Sequence, residues 1–92
     1  MNEKAVLARI TGRVQGVGFR AWTRAQAQSL GLAGWVRNEP DGSVSALIAG
    51  PADGVNEMIA RLERGPAGAR VDEVRSSEAK PEDAPARFEV RR

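Results

Sequence analysis

The sequence predicts an α+β fold in which two helices cover one face of a mixed or antiparallel sheet. Several short segments alternate between apolar and polar residues, and two longer segments have the composition or the spacing of helices. These segments follow the order strand, helix, strand, strand, helix, strand, with a short extra strand at the C-terminus. The order is typical of a split βαβ arrangement, whose right-handed crossovers place the first and third strands in the centre of the sheet.

The beginning of the chain predicts a strand and then a helix. Residues 5–12 alternate with the period of a half-buried strand. Residues 21–30 are rich in helix-forming residues, and we expect Trp22, Ala25 and Leu30 to form the buried stripe of this helix.

A hairpin is predicted next. Gly31 is expected to end the first helix in a left-handed cap. Residues 32–38 and 43–49 have the character of strands, and the Glu-Pro-Asp-Gly segment at residues 39–42 is typical of a tight turn.

The second half of the chain predicts one more helix and two strands. Asp53 is expected to cap a helix that ends at Gly65. Its buried stripe has the spacing i, i+3, i+4 and i+7 and consists of Val55, Met58, Ile59 and Leu62. Residues 71–79 are predicted to form a strand, residues 80–85 a loop, and residues 88–90 a short last strand.

Length and composition restrict the possible functions. The 92 residues are expected to form a single domain over residues 1–92. The chain contains no cysteine and no histidine, so thiolate chemistry is excluded, as are the commonest general base and the commonest metal ligand. The net charge of +2 is too small to indicate a dedicated nucleic-acid-binding protein, and no apolar run is long enough to span a membrane. We therefore expect a soluble, cytoplasmic protein.

Residues 12–20 have the sequence Gly-Arg-Val-Gln-Gly-Val-Gly-Phe-Arg and connect the first strand to the first helix. Glycine accepts backbone conformations that let successive N–H groups converge, and such a cluster in front of a helix N-terminus binds anions. Arg20 adds a planar group that can bind phosphate through two parallel hydrogen bonds. Because a cation at a helix N-terminus is unfavourable without an anion beside it, we predict that this loop holds a phosphoryl group.

Two nucleotide-binding glycine motifs fit this loop less well than a simple phosphate site. Gly16-x-Gly18-x-x-Ala21 matches the loose dinucleotide-binding pattern, but the chain is too short for a doubly wound sheet. The Gly-Lys-Ser/Thr sequence of a phosphate-loop ATPase is absent. A tight connection that simply needs glycine remains an alternative, although it does not account for Arg20.

Asn38 is the second candidate site residue. At the end of a strand, asparagine is commonly explained by turn chemistry alone. In the split βαβ order, however, the first and second strands run parallel to each other on either side of the third. The end of the second strand therefore lies at the same edge of the sheet as the glycine-rich loop, and Asn38 can face the same cleft.

The chain resembles the acylphosphatase family. The resemblance rests on residues 12–20, on Gly-Leu-Ala-Gly-Trp-Val-Arg-Asn at residues 31–38 and on the Asp-Gly pair that follows, and it continues to the C-terminal Phe-Glu-Val. It implies a ferredoxin-like βαββαβ sandwich with a mainly antiparallel sheet of four to five strands and two helices on one face. It also implies an enzyme that hydrolyses acyl phosphates to a carboxylate and inorganic phosphate, with Arg20 and Asn38 at the family's catalytic positions.

The mechanism that we expect needs neither a metal nor a cofactor. The peptide N–H groups of the loop and the Arg20 guanidinium would bind the phosphoryl oxygens, while the Asn38 side chain would orient the attacking water. The phosphate-binding residues are thus predicted to be Gln15, Gly16, Val17, Gly18, Phe19 and Arg20. We expect a monomer that binds a small acyl phosphate and has no nucleic-acid or membrane partner.

Two functions from other classes remain open on the sequence. The first is a non-catalytic phosphate-binding or regulatory module on the same scaffold. The second is an RNA-recognition domain, which shares the order of elements but stacks bases on aromatic side chains of the sheet. This chain has only two tryptophans, two phenylalanines and no tyrosine.

Overall fold

A computed structural model describes residues 2–92 as one five-stranded sheet with two helices. The strands are β1 (Glu3–Arg13), β2 (Ala33–Asn38), β3 (Val44–Pro51), β4 (Arg70–Glu78) and β5 (Phe88–Arg91). The helices are α1 (Phe19–Ser29) and α2 (Ala52–Arg64), and a single 3₁₀ turn, Pro81–Asp83, lies in the predicted loop between β4 and β5.

The strands lie in the order β4-β1-β3-β2-β5. Neighbouring strands are antiparallel except for β2 and β5, which are parallel. The predicted ferredoxin-like α+β fold is therefore confirmed: β1 and β3 form the centre of the four-stranded unit, and β5 extends the sheet beyond β2. Because β1 and β2 both pair with β3 in antiparallel register, they run in the same direction, as the sequence predicts.

Apolar side chains at alternate positions of the central strands β1 and β3 form part of the core. Three side chains of β1 and three of β3 are buried against the helices: Val6, Ala8, Ile10, Val44, Ala46 and Ile48. The residues between them face the other side of the sheet, where the side chain of Arg9 is exposed.

The buried stripe of α1 differs from the predicted one. Phe19, Thr23 and Ala27 are buried, whereas Ala25 is exposed and the predicted Trp22 and Leu30 are only half-buried beside the core. The helix begins two residues earlier than expected. Phe19 therefore enters the core, and it fixes which face of the helix is covered at the following i+4 positions.

Helix α2 has the predicted apolar face but a different start. Val55, Met58 and Leu62 are fully buried, and Ile59 is half-buried against the core. The prediction that Asp53 caps this helix is wrong, because β3 leads directly into α2 and Pro51 occupies the cap position. Asp53 lies instead in the first turn of the helix, where a negative charge is still favourable.

Gly34 allows β2 and β3 to approach closely next to the core. Its φ of 139° is unusual for any residue with a side chain, and a Cβ atom at this position would overlap the carbonyl oxygen of Leu47. The same Cβ atom would lie 3.2 Å from the Phe88 ring, so it could not avoid the Leu47 carbonyl by moving toward Phe88.

We predict that Gly34→Ala lowers the free energy of unfolding by at least about 2 kcal/mol, because the overlap with the Leu47 carbonyl forces the strands apart. Urea unfolding measures this change. Gly68→Ala is the matched control, since a Cβ there meets no atom within 4 Å, and we expect it to change stability by less than about 0.5 kcal/mol. Equal stability of the two variants would contradict the prediction.

Candidate active site

A cavity of about 210 Å³ lies where the β1–α1 connection, the first turn of α1 and the ends of β2 and β5 meet. Its lining consists of Val14, Gly16, Gly18, Phe19, Arg20, Ala21, Asn38 and Val90. A larger cavity, of about 360 Å³, lies at the other end of β1 and contains none of the predicted site residues. The chemistry of the lining therefore singles out the smaller cavity as the candidate site.

The two glycines of the cavity lining have left-handed backbone conformations. Gly16 has a φ of 74° and Gly18, at the cap position of α1, has a φ of 77°. A Cβ atom at either position would meet nothing within 4 Å. Glycine is thus favoured here by the backbone conformation and not by crowding, and the space beside both residues remains open.

The peptide N–H groups of residues 15–19 have no acceptor within residues 2–92. Helix α1 also has no side-chain cap and no acidic residue in its first turn. A helix N-terminus carries partial positive charge, and its first N–H groups have no partner within the helix. The donors of this loop are thus not used by the described part of the protein, and their charge favours an anion.

Arg20 is half-buried at the edge of the cavity. Its Nη1 atom donates a hydrogen bond of 2.9 Å to the backbone carbonyl of Arg91 in β5. No carboxylate within residues 2–92 forms an ion pair with it. Because a guanidinium has five N–H donors, the group is held in place while its charge and most of its donors remain available to a ligand.

Strand β5 supplies this carbonyl. It contacts β2 through side chains as well as through the backbone ladder. Arg91 pairs with Arg37 across the parallel ladder, and the two guanidinium groups lie 5.3 Å and 4.7 Å from the centroid of the Trp35 ring. Glu89 accepts hydrogen bonds from the Arg91 side chain. Cation–π stacking of Arg91 on Trp35 helps to attach the edge strand to β2, on the face of the sheet away from the helices.

Asn38 is the last residue of β2 and lies on the lining of the same cavity. It is half-buried, and none of the side-chain hydrogen bonds within residues 2–92 involves its amide. A free amide can both donate to and accept from a water molecule, so Asn38 can bind a water next to the glycine-rich loop.

The turn that follows Asn38 is ordered by its carboxylates. Asp41 accepts hydrogen bonds from the backbone N–H and the hydroxyl of Ser43, and these bonds lower the pKa of Asp41. The Arg37 side chain donates to Glu39, and together with Ser45 it lowers the pKa of that carboxyl group. Both groups are thus ionised at neutral pH. Glu39 is paired with Arg37 of β2, and Asp41 also forms an ion pair with Arg9 of β1.

The structure brings five of the predicted site residues to one cavity: Gly16, Gly18, Phe19, Arg20 and Asn38. Gln15 and Val17 do not line it. The Gln15 side chain is directed to the β2–β3 turn, and Val17 is half-buried against the core. The roles of all seven residues remain predictions.

Two contacts of the site were not found from the sequence. The carbonyl of Arg91 and the side-chain bonds of Gln15 both join segments that are distant in the chain, and no local pattern marks them.

No group of three metal-ligating side chains occurs in the described part of the chain. In residues 2–92, no helix has the length and apolar character needed to cross a bilayer.

Comparisons with known proteins show which family this chain is similar to. The Acylphosphatase family model matches residues 6–90. An acylphosphatase of Rhizobium meliloti (strain 1021) is 57% identical over 91 residues, which cover 99% of this chain and 96% of that protein. The solved structure of an acylphosphatase from Coxiella burnetii matches with a TM-score of 0.92 at 37% identity, covering 98% of this chain and 94% of the other. The acylphosphatase from Bacillus subtilis matches with a TM-score of 0.91 at 31% identity, covering 96% and 98% of the two chains.

The family match spans nearly the whole chain, the relative from Rhizobium meliloti is identical at more than half of the aligned positions, and the solved structures share the fold. None of these findings favours the non-catalytic alternative. The chain belongs to the acylphosphatase family, whose members hydrolyse acyl phosphates to a carboxylate and inorganic phosphate, and it is an enzyme of that activity.

Proposed function

We propose that this acylphosphatase binds the phosphoryl group of its substrate with the peptide N–H groups of residues 15–19 and with the guanidinium of Arg20. The side-chain amide of Asn38 orients a water molecule for attack on phosphorus in line with the leaving carboxylate. Both Arg20 and Asn38 are catalytic residues in this proposal, because each contacts a reacting group.

The observation that carries the proposal is the set of unpaired donors around one cavity. The N–H groups of residues 15–19 have no acceptor within residues 2–92, and Arg20 has no carboxylate partner there. A phosphoryl dianion would satisfy these donors and would balance the guanidinium charge. Asn38, whose amide is also free, lies on the lining of the same cavity.

The chemistry of the reaction explains why so few groups are needed. The leaving group is a carboxylate whose conjugate acid has a pKa of about 4, so it departs without being protonated. Phosphoryl transfer through a loose transition state depends mainly on positioning and on stabilisation of charge. A phosphoryl oxygen of the substrate can accept the proton of the attacking water, and no histidine is required.

We also propose that the enzyme acts as a monomeric single domain over residues 1–92 in the cytoplasm, without a metal or another cofactor. No partner macromolecule, nucleic acid or membrane takes part in the reaction. The small net charge of +2 supports the absence of a nucleic-acid partner. The sheet face supports it as well, because Trp35 is only 9% exposed beneath two arginines and is not available for stacking on a base.

Hydrolysis of benzoyl phosphate by the purified protein is the direct test. We expect turnover that is unchanged by EDTA and inhibited competitively by inorganic phosphate, because the site holds phosphate through its own donors. Release of benzoate measures the rate. Loss of activity in EDTA that returns with a divalent cation would contradict the mechanism, even if the activity itself is present.

We predict that Arg20→Lys lowers kcat/KM for benzoyl phosphate by about 10³-fold, since an ammonium cannot reproduce the bidentate contact and the Arg91 bond at once. Arg24→Lys is the matched control, because Arg24 is exposed on the same helix and does not line the cavity. Its activity should equal that of the wild type. Near-normal turnover by Arg20→Lys would remove Arg20 from the mechanism.

We predict that Asn38→Ala lowers kcat by at least about 100-fold and changes the inhibition constant of inorganic phosphate by less than about threefold, because the amide orients water and does not hold phosphate. Steady-state kinetics with phosphate as inhibitor separate the two quantities. An equal loss in both would mean that Asn38 binds the phosphoryl group.

A further inference from the structure

The side chain of Gln15 connects the phosphate-binding loop to the turn that follows Asn38. Its Nε2 atom lies 2.8 Å from the carbonyl oxygen of Glu39 and 2.8 Å from that of Ser43. Both partners are acceptors, so only the NH₂ group of the amide can face them, and its two hydrogens serve one carbonyl each. Gln15 directly precedes Gly16, the first glycine of the cavity lining.

The two carbonyls do not need Gln15 in order to be satisfied. The Glu39 carbonyl also accepts a hydrogen bond of 3.1 Å from the N–H of Gly42, and the Ser43 carbonyl accepts one of 2.8 Å from the N–H of Glu39. The hairpin turn is therefore closed by its own backbone. The bonds from Gln15 are additional, and they tie the turn directly to the glycine-rich loop, whereas the ion pair between Asp41 and Arg9 ties it to β1.

Gln15 forms these hydrogen bonds with residues at the two ends of the turn. Glu39 directly follows Asn38, and Ser43 directly precedes Val44, the residue that pairs with Asn38 across the hairpin. A shift of the turn relative to the glycine-rich loop would thus move Asn38 relative to any phosphoryl group in that loop. In-line attack is sensitive to such a shift, since a misplacement of about 1 Å can cost 100-fold in rate.

We propose that the side-chain amide of Gln15 is a positioning group for hydrolysis, which sets the distance between the bound phosphoryl group and the water on Asn38. This role rests on the proposed function of Asn38. It is separate from the expected role of the Gln15 peptide N–H in phosphate binding, because the side chain points to the turn and not into the cavity.

Gln15→Met tests the proposal, because methionine has a similar volume and no N–H donor. We expect kcat for benzoyl phosphate to fall by at least about tenfold, with an inhibition constant for inorganic phosphate within about twofold of the wild type. The urea midpoint should change little, because both carbonyls keep their backbone partners. Gln28→Met is the matched control. Gln28 is exposed on α1, and none of the side-chain hydrogen bonds within residues 2–92 involves it. The kinetics of this variant should equal those of the wild type.

A double-mutant cycle with Asn38→Ala separates positioning from a general structural effect. If Gln15 acts through Asn38, adding Gln15→Met to Asn38→Ala lowers kcat by less than about twofold, because there is no longer an oriented water to misplace. A structural effect would instead lower kcat by the same factor in both backgrounds.

The outcomes distinguish this proposal from the one on which it rests. Wild-type kcat in Gln15→Met, equal losses in kcat and phosphate binding, or additive effects in the cycle would overturn the role of Gln15 and leave Asn38 in place. Normal kcat in Asn38→Ala would overturn both proposals, and a wild-type protein without benzoyl phosphatase activity would overturn the proposed function first.

Discussion

The absence of protein acceptors for the N–H groups between β1 and α1 is the constraint on which the site depends. A strand that ends at Arg13 and a helix that begins at Phe19 leave the peptide donors of residues 15–19 without acceptors in the described chain. In most proteins a side chain caps such a helix, but here the cap residue is Gly18 and the first turn carries no acid. The local fold has an electrostatic preference for an anion, which is the reason that we propose this loop as the phosphoryl site.

The sheet topology determines what else can reach that anion. β1 and β2 are parallel to each other because both pair with β3, so the loop after β1 and the residue that ends β2 lie at the same edge of the sheet. Asn38 reaches the cavity for this reason alone. The turn beyond it is closed by its own backbone bonds, is braced by the Asp41 side chain and is joined to the loop by Gln15.

The fifth strand also helps to position the site, through its contact with Arg20. A split βαβ unit is complete with four strands, and β5 adds a parallel edge next to β2. Its Arg91 carbonyl holds the guanidinium of Arg20, while stacking on Trp35 holds Arg91. Arg20 is thus oriented by a neutral acceptor, which holds the guanidinium in place without cancelling its charge. A carboxylate in the same place would compete with the ligand.

Local patterns in the sequence by themselves determined the order of the elements, the alternation along β1, most of the buried face of α2, and the glycine-rich loop with Arg20 behind it. Periodicity and glycine placement act over only a few residues. They did not determine the buried face of α1, since that depends on Phe19 entering a core built by distant strands, nor the start of α2, since β3 continues directly into it. Only the tertiary structure decided the hydrogen bonds from Arg20 to Arg91 and from Gln15 to the turn, which join residues 71, 24 and 28 positions apart. Contacts of that separation exist only after the sheet has brought its strands together, so no local pattern encodes them.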